Sequence, residues 1–431
     1  MMISIKDQAY EKSPGYGIAM AFAFSNCLLN AKNIIVSGSE ALYNMNSLLN
    51  NLVIMISLLA YMWAIFFVDK RGRIKLNQMV IIFLLLAFWG VSYLLNTSLF
   101  TYSYVVEEFK AFIIYSLPAL IVIPLQRDCN ALVHGFQKYK WIVFWVTVIT
   151  VGLMLLNGKI VTSGTRHEMY SMSFGRAVLL PCLLFYMEWF ETKKKVSFLC
   201  AIFCTMAIFL FGSRFPILCI AMYLVWKTLL TKLTAKKVAL LIGSAFLFLI
   251  IFINLDYFIQ TASNILMQFG INSRALTLLA TSKFGYDDGR LAIYSELIKA
   301  TNESPIIGYG AGGANIVLNN GLSHNFFLDL FANLGYIVGG IIVLISCISI
   351  FRLYKNNKGG TNREMIIFCL CMFLPTSLIQ TSLWRATYFW YLIALAISKM
   401  IYINMPLEDE VNVEQIKKND HKSVSYTNVY M

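Results

Sequence analysis

Residues 79–99 read MVIIFLLLAFWGVSYLLNTSL, 21 consecutive positions without a single Asp, Glu, Lys or Arg. At about 1.5 Å per residue, such a run makes a helix of roughly 30 Å, the thickness of a bilayer hydrocarbon core. The apolar positions are continuous, whereas a membrane barrel strand alternates over about ten residues. Working outward, comparable blocks lie at 47–68, 196–212, 238–255, 326–351 and 387–402. Shorter or more polar ones lie at 16–36, 111–125, 141–157, 172–190, 215–230 and 364–382, the first interrupted by Asn26, Asn30 and Lys32. The expected fold is an all-α polytopic membrane protein of about 12 transmembrane helices, a count read directly from these blocks. No early apolar core is followed by a small-residue cleavage site, so no removed signal peptide is expected.

Composition agrees. Of 431 residues, 58% are hydrophobic and 13% charged, about half the charged share of a soluble domain. Too few polar side chains remain to cover a globular surface, which excludes a water-soluble protein. With the N-terminus in the cytoplasm, 24 of the 35 Lys and Arg fall in inner loops and 11 on the outer side. The acidic residues divide 12 inside and 10 outside, so the net charge of +13 is carried almost wholly by the inner face. The pI of 9.2 is therefore a topology signal. It gives no support to nucleic-acid binding, which needs a basic face on a soluble domain. Of nine cysteines, Cys129 lies in an inner loop and eight within apolar blocks, as expected of packing residues and not of disulfides.

The expected organisation is helices 1–9 over 1–255, an outer cap over 256–323, helices 10–12 over 324–402, and a disordered cytoplasmic tail over 403–431. The 68 residues of 256–323 exceed an ordinary connection and point to a functional segment. Residues 256–285 read as an interfacial amphipathic helix broken near Gly270. Asp287 and Asp288 are N-cap residues for a helix of about 15 residues with Leu291, Tyr294, Leu297 and Ile298 along one face, ending at Ser304-Pro305.

Chemistry-bearing residues cluster on the same side. In PIIGYGAGG (305–313), Gly308, Gly310 and Gly313 fit G-x-G-x-x-G, but without a preceding strand this is no dinucleotide fingerprint. It reads as a tight turn or as a backbone N–H nest for phosphate. In SHNFFLDLFANLGYIVGG (323–340), His324 stands at the mouth of helix 10, and Asn325, Asp329 and Asn333 repeat on one helical face. A carboxylate in the apolar zone costs about 2.5–3.5 kcal/mol, so Asp329 should face a cavity or a helix partner. A neutral imidazole at His324 can take a proton from a hydroxyl near neutral pH. Arg166, Arg176, Arg214, Arg274, Arg290 and Arg385 all fall on the outer side, where a guanidinium either binds phosphate oxygens in pairs or snorkels to headgroups. No spacing suits a metal site.

Taken in order, Gly212-Ser213-Arg214, Gly289-Arg290, Pro305-Ile306-Ile307-Gly308-Tyr309-Gly310, His324-Asn325, Leu328-Asp329 and Gly335 resemble the O-antigen polymerase and O-antigen ligase superfamily over about 195–345. The resemblance implies a GT-C-like bacterial inner-membrane glycosyltransferase that works at the periplasmic face, without metal or cofactor and with inversion. It implies an undecaprenyl-pyrophosphate-linked glycan as donor, with a lipid-linked repeat unit (polymerase) or lipid A–core (ligase) as acceptor. On this reading Arg214 and Arg290 neutralise the leaving pyrophosphate and His324 activates the acceptor hydroxyl. Arg166, Arg176, Arg385, Asn325, Asp329, Gly308 and Gly310 bind substrate. Inner-membrane lipids, a chain-length regulator and a flippase are the implied partners. The competing class is a lipid-linked oligosaccharide flippase, but the sequence lacks the internal repeat that transporters commonly show.

Overall fold

The structure, a computed structural model, describes residues 45–63, 76–122, 129–157, 172–210, 214–230, 290–357, 360–379 and 381–402, with scattered positions at 16–32 and at 261. The expected helix at 238–255, the cap residues 256–289 with Gly270, Arg274, Asp287 and Asp288, and the tail 403–431 lie outside the described residues or touch them only at 261. So does most of 16–36.

Among the described residues every regular element is a helix. The helices are α1 (Asn46–Trp63), α2 (Leu76–Leu95), α3 (Ser103–Ala111), α4 (Leu117–Val122), α5 (Cys129–Asn157), α6 (Met172–Thr192) and α7 (Lys195–Leu210). They continue with α8 (Arg214–Leu230), α9 (Arg290–Glu303), α10 (Gly313–Val317), α11 (Phe326–Asn356), α12 (Gly360–Ile379) and α13 (Thr387–Tyr402). By length and composition α11 can cross a membrane, while α1, α2, α7, α8 and α13 carry shorter apolar stretches. The apolar blocks locate these helices but misplace several ends. α5 begins 12 residues before its block at 141, because a helix can continue out of the apolar zone on ordinary polar residues. The block at 111–125 starts as helix at Ser103 and passes through a wide turn at Phe112–Ser116.

Neighbouring helices run antiparallel, which sorts their termini to two ends. On α8 and α12, Cys219 Sγ contacts the Met372 carbonyl at 3.9 Å and Lys227 Nζ meets Glu364 at 2.7 Å. Eight residues along one helix thus match eight back along the other. The end of α6 meets the start of α7, where Glu188 accepts from Lys140, Lys194 and Ser197. We call this the Lys140 end. The opposite, His324 end gathers the loops after α2, between α9 and α11, and between α12 and α13.

The core beneath the His324 end is aromatic. Trp384 is 1% exposed, with ring centres of Trp89, Phe112, Phe88 and Trp390 at 5.0, 5.2, 6.1 and 6.3 Å. Such rings bury large apolar areas, and edge-to-face pairs add about 0.5–1.5 kcal/mol each. Along α11, Ile337, Ile341, Leu344, Ile345 and Ile348 form an exposed apolar stripe of the kind a bilayer covers.

Candidate functional site at the His324 end

Helix α11 is broken at Gly335, whose φ of 73° and ψ of 168° are not helical. A break strips several backbone groups of their partners, and each costs free energy unless it finds another. The Pro305–Gly310 segment supplies them. Tyr309 N–H donates to Ala332 O and Gly310 N–H to Asn333 O, both at 2.9 Å, while Ile337 N–H donates to Pro305 O at 3.2 Å. Gly308 N–H goes to Ser304 O at 3.2 Å, and Ala311 N–H to the Ser92 hydroxyl at 2.8 Å. This corrects the phosphate-nest expectation for Gly308 and Gly310: their N–H groups are committed to the fold. The turn reading describes them.

Helix α9 begins at Arg290 and ends at Glu303, just before Ser304-Pro305. Its buried positions are Leu297, Ala300 and Thr301, with Ile293 packed beside them. Leu291 and Ile298 are instead 68% and 43% exposed. The expected apolar stripe is therefore rotated by about one residue, because the docking partners α10 and α11 take the Ile293–Leu297 side.

His324 occupies the residue before the α11 cap, with φ of 52°, a left-handed conformation uncommon for a side chain-bearing residue. Asn325 caps the helix by accepting from Phe327 N–H at 3.0 Å and Leu328 N–H at 3.1 Å. The half-buried imidazole is held below the usual histidine range, first by burial and then by the charges of Arg290 and Arg385. Those two guanidiniums come from different elements: Arg290 opens α9, and Arg385 sits in the turn between α12 and α13.

That turn is fastened at almost every residue. Ser382 donates to Glu108 Oε2, and Leu383 N–H donates to Asp329 Oδ2 at 2.9 Å. Ser116 donates to Trp384 O at 2.7 Å, and Trp390 Nε1 donates to Leu383 O at 3.0 Å. Arg385 Nη2 donates to Glu107 Oε2 at 3.0 Å. Its Nε lies 2.8 Å from Glu108 Oε1, an ion-pair contact without hydrogen-bond alignment. Burial pushes the Glu108 carboxyl up to about 7, against the pull of Arg385. Burial also opposes the Arg385 charge, yet Glu108, Glu107 and Asp329 together raise its pKa above the ordinary value.

The remaining candidates divide. Arg214 opens α8, and the antiparallel match of Cys219 to Met372 sets its backbone level with Ser377, next to Leu378, whose carbonyl lies 3.5 Å from Asn325 Nδ2. Arg176 is in the first turns of α6, twelve residues from Glu188 and so at the His324 end. Only the backbones of Arg214 and Arg176 are described, and Arg166 lies outside the described residues with His167. Asp329 is 1% exposed and accepts from Asn333 Nδ2 at 3.1 Å. Asn333 in turn accepts from Ala314 N–H at 3.2 Å. Asp329 and Asn333 thus bond within the protein, the helix-partner alternative of the sequence reading.

Glu107, Glu108, Ser92 and Ser382 went unselected in the sequence. The one available signal was a pair of carboxylates in the outer segment 100–110 facing a lone Arg385 in 383–386. Nothing local says that those two loops touch.

Residues 197–345 match the O-antigen ligase family. This agrees with the superfamily resemblance, and it is a family of membrane proteins that act in polysaccharide biosynthesis. The O-antigen ligase window holds Arg214, Arg290, His324, Asp329 and Gly335, whereas Glu107, Glu108 and Arg385 lie outside it. No curated protein and no solved structure matches the chain. Among the described residues no three His, Cys, Asp or Glu side chains are grouped to hold a metal ion.

Proposed function

We propose that the protein is a surface-polysaccharide polymerase of the O-antigen type. It is a multi-pass protein of the bacterial inner membrane with both termini cytoplasmic and the His324 end periplasmic. The donor is a glycan chain on undecaprenyl pyrophosphate, and the acceptor is a lipid-linked repeat unit. The observation that carries this reading is the convergence of the segments bearing His324, Arg290 and Arg385 at the end where Arg214 begins its helix: α9 packs on α11, and Asp329 of α11 accepts from Leu383 N–H of the Arg385 turn at 2.9 Å.

The chemistry follows from those groups. The acceptor hydroxyl oxygen attacks the anomeric carbon of the donor as the carbon–oxygen bond to pyrophosphate breaks. The hydroxyl proton passes to neutral His324, and the bonding pair leaves with the pyrophosphate. Arg214 and Arg290 stabilise the charge growing on that leaving group, a task suited to preorganised cations in a partly dry site. In-line displacement inverts the anomeric configuration. Charge stabilisation comes from arginine, so the scheme calls for no metal. Arg166 and Arg176 are assigned to the glycan or its phosphates, and Asn325 to holding the His324 loop.

The family match is equally compatible with one alternative, a ligase that delivers the finished chain to lipid A–core. Separate His324→Ala, Arg290→Ala and Arg214→Ala variants in cells lacking the native protein, with membrane levels verified, distinguish the two on a polysaccharide gel. A ladder collapsing to core plus one repeat unit supports the polymerase. Loss of every repeat with accumulation of lipid-linked polymer identifies a ligase. Unchanged ladders in all three variants would sink the mechanism.

A further inference from the structure

At the His324 end, two segments remote in sequence meet around the 381–386 turn. Asp329, from the first part of α11, accepts from Leu383 N–H at 2.9 Å. Glu108, from α3, accepts from Ser382 and stands 2.8 Å from Arg385 Nε. Glu107 holds Arg385 Nη2 at 3.0 Å. Residues 382, 383 and 385 are thus each tied to a carboxylate from another element, and the planar guanidinium spans two of them as a Lys could not.

These ties differ in weight. Glu107 is 55% exposed, and an exposed ion pair is worth at most about 1 kcal/mol. Glu108 and Asp329 are 0% and 1% exposed. A buried carboxylate stripped of its partner is strongly unfavourable, so these two decide where the turn sits. The Arg385 charge is already answered by carboxylates, which leaves it a poor ligand for a pyrophosphate. Among the described residues the charges that act on His324 are Arg290 from α9 and Arg385 from the turn, and Arg385 in turn is paired with Glu107 and Glu108 from α3.

We propose that Glu108 and Asp329 are positioning residues of the His324 site: they fix the 381–386 turn so that Arg385 is presented to the imidazole as a stationary cation and not as a phosphate ligand. The inference rests on the reading of His324 as the acceptor of the hydroxyl proton. A fixed cation beside it keeps the ring neutral and able to take that proton. Burial and Arg290 act in the same sense.

The test is histidine NMR on the full-length protein in lipid nanodiscs. Of the four histidines, the His324 signal is assigned by its loss in His324→Gln. Arg385→Gln is expected to raise the His324 midpoint. Glu108→Gln is expected to raise it as well: the carboxyl is already protonated where His324 titrates, so the change removes no charge there but sets an amide NH2 against Arg385 Nε and loosens the turn. Unmoved midpoints in both variants would overturn the proposal. So would Arg385→Gln leaving the midpoint in place while raising KM for undecaprenyl-pyrophosphate-linked glycan extracted from the host membranes, which would make Arg385 a phosphate ligand. Arg385 is 32% exposed, so its substitution empties no core and carries the test if Glu108→Gln fails to reach the membrane. Transfer rates measured on the same samples separate the two readings. A midpoint that moves without the acid limb of the rate profile would leave the positioning intact and remove His324 as proton acceptor.

Discussion

Gly308 and Gly335 lie backbone against backbone. A Cβ on Gly308 would fall 2.5 Å from Gly335 N, and one on Gly335 would fall 2.5 Å from Ile306 C. Both residues have positive φ, at 64° and 73°. The loop that precedes the His324 segment and the break that follows it are therefore one structure. The loop exists to cap the break, and the break opens the carbonyls that hold the loop.

Substitution of either glycine should be severe. Gly308→Ala and Gly335→Ala each combine a left-handed backbone, about 1–2 kcal/mol for an alanine, with a contact to backbone that cannot move aside. Both are expected to lower the melting temperature of the detergent-solubilised protein and abolish transfer. Gly340→Ala is the control: it meets nothing within 4 Å, and alanine gains up to about 1 kcal/mol over glycine in a helix. Equal melting temperatures for all three would refute the interlock.

The transfer rate should rise with pH through the titration of His324 and reach half its maximum below pH 6.5. The folded-state pKa lies under that ordinary value, and the neutral ring is the active form. Arg290→Gln removes one of the charges responsible, so the residual activity of that variant should show its acid limb at higher pH. The same depression predicts a stability effect. Between the lowered folded value and 6.5 the unfolded chain binds more protons, so stability falls as pH drops through that window. His324→Gln should remove this component from a series of melting curves.

Glu108 has the opposite sign. Its carboxyl titrates at about 7 in the folded protein against 4.5 for an unperturbed group. Between those values the folded state holds the extra proton, so this contribution to stability is present at low pH and declines as pH rises toward 7. Glu108→Gln should flatten the stability profile over that range. Melting curves at pH 5, 6 and 7 with parallel slopes in both proteins would contradict the burial.

At the other end, Lys140 and Glu188 form an ion pair in which Lys140 is nearly inaccessible. Removing one partner leaves an uncompensated charge, at up to about 3–5 kcal/mol, whereas replacing both with apolar residues is often neutral. Glu188→Leu should therefore deplete the protein from membranes, and Lys140→Met with Glu188→Leu should restore it. A double variant no better than the single would show that the pair holds more than its own charge. Transfer per folded molecule should be normal in the rescued protein, since the pair lies far from His324.

The sequence alone located most of the described helices, because a continuous apolar run such as 79–99 folds as helix, here as far as Leu95. It also placed α9 against Ser304-Pro305, where proline forbids continuation. And it singled out His324, Arg290 and Arg385 as charged or titratable groups on one side. These are local properties of composition, spacing and backbone chemistry. What Arg385 does was decided only in three dimensions. Glu107 reaches it across 278 residues of chain and Glu108 from the next position, and a residue's charge gives no sign of whether a carboxylate already answers it. Gly308 and Gly310 show the same limit. Glycine permits a nest and a tight packing contact equally, and the choice fell to Gly335, where a broken helix offered carbonyls closer than any ligand.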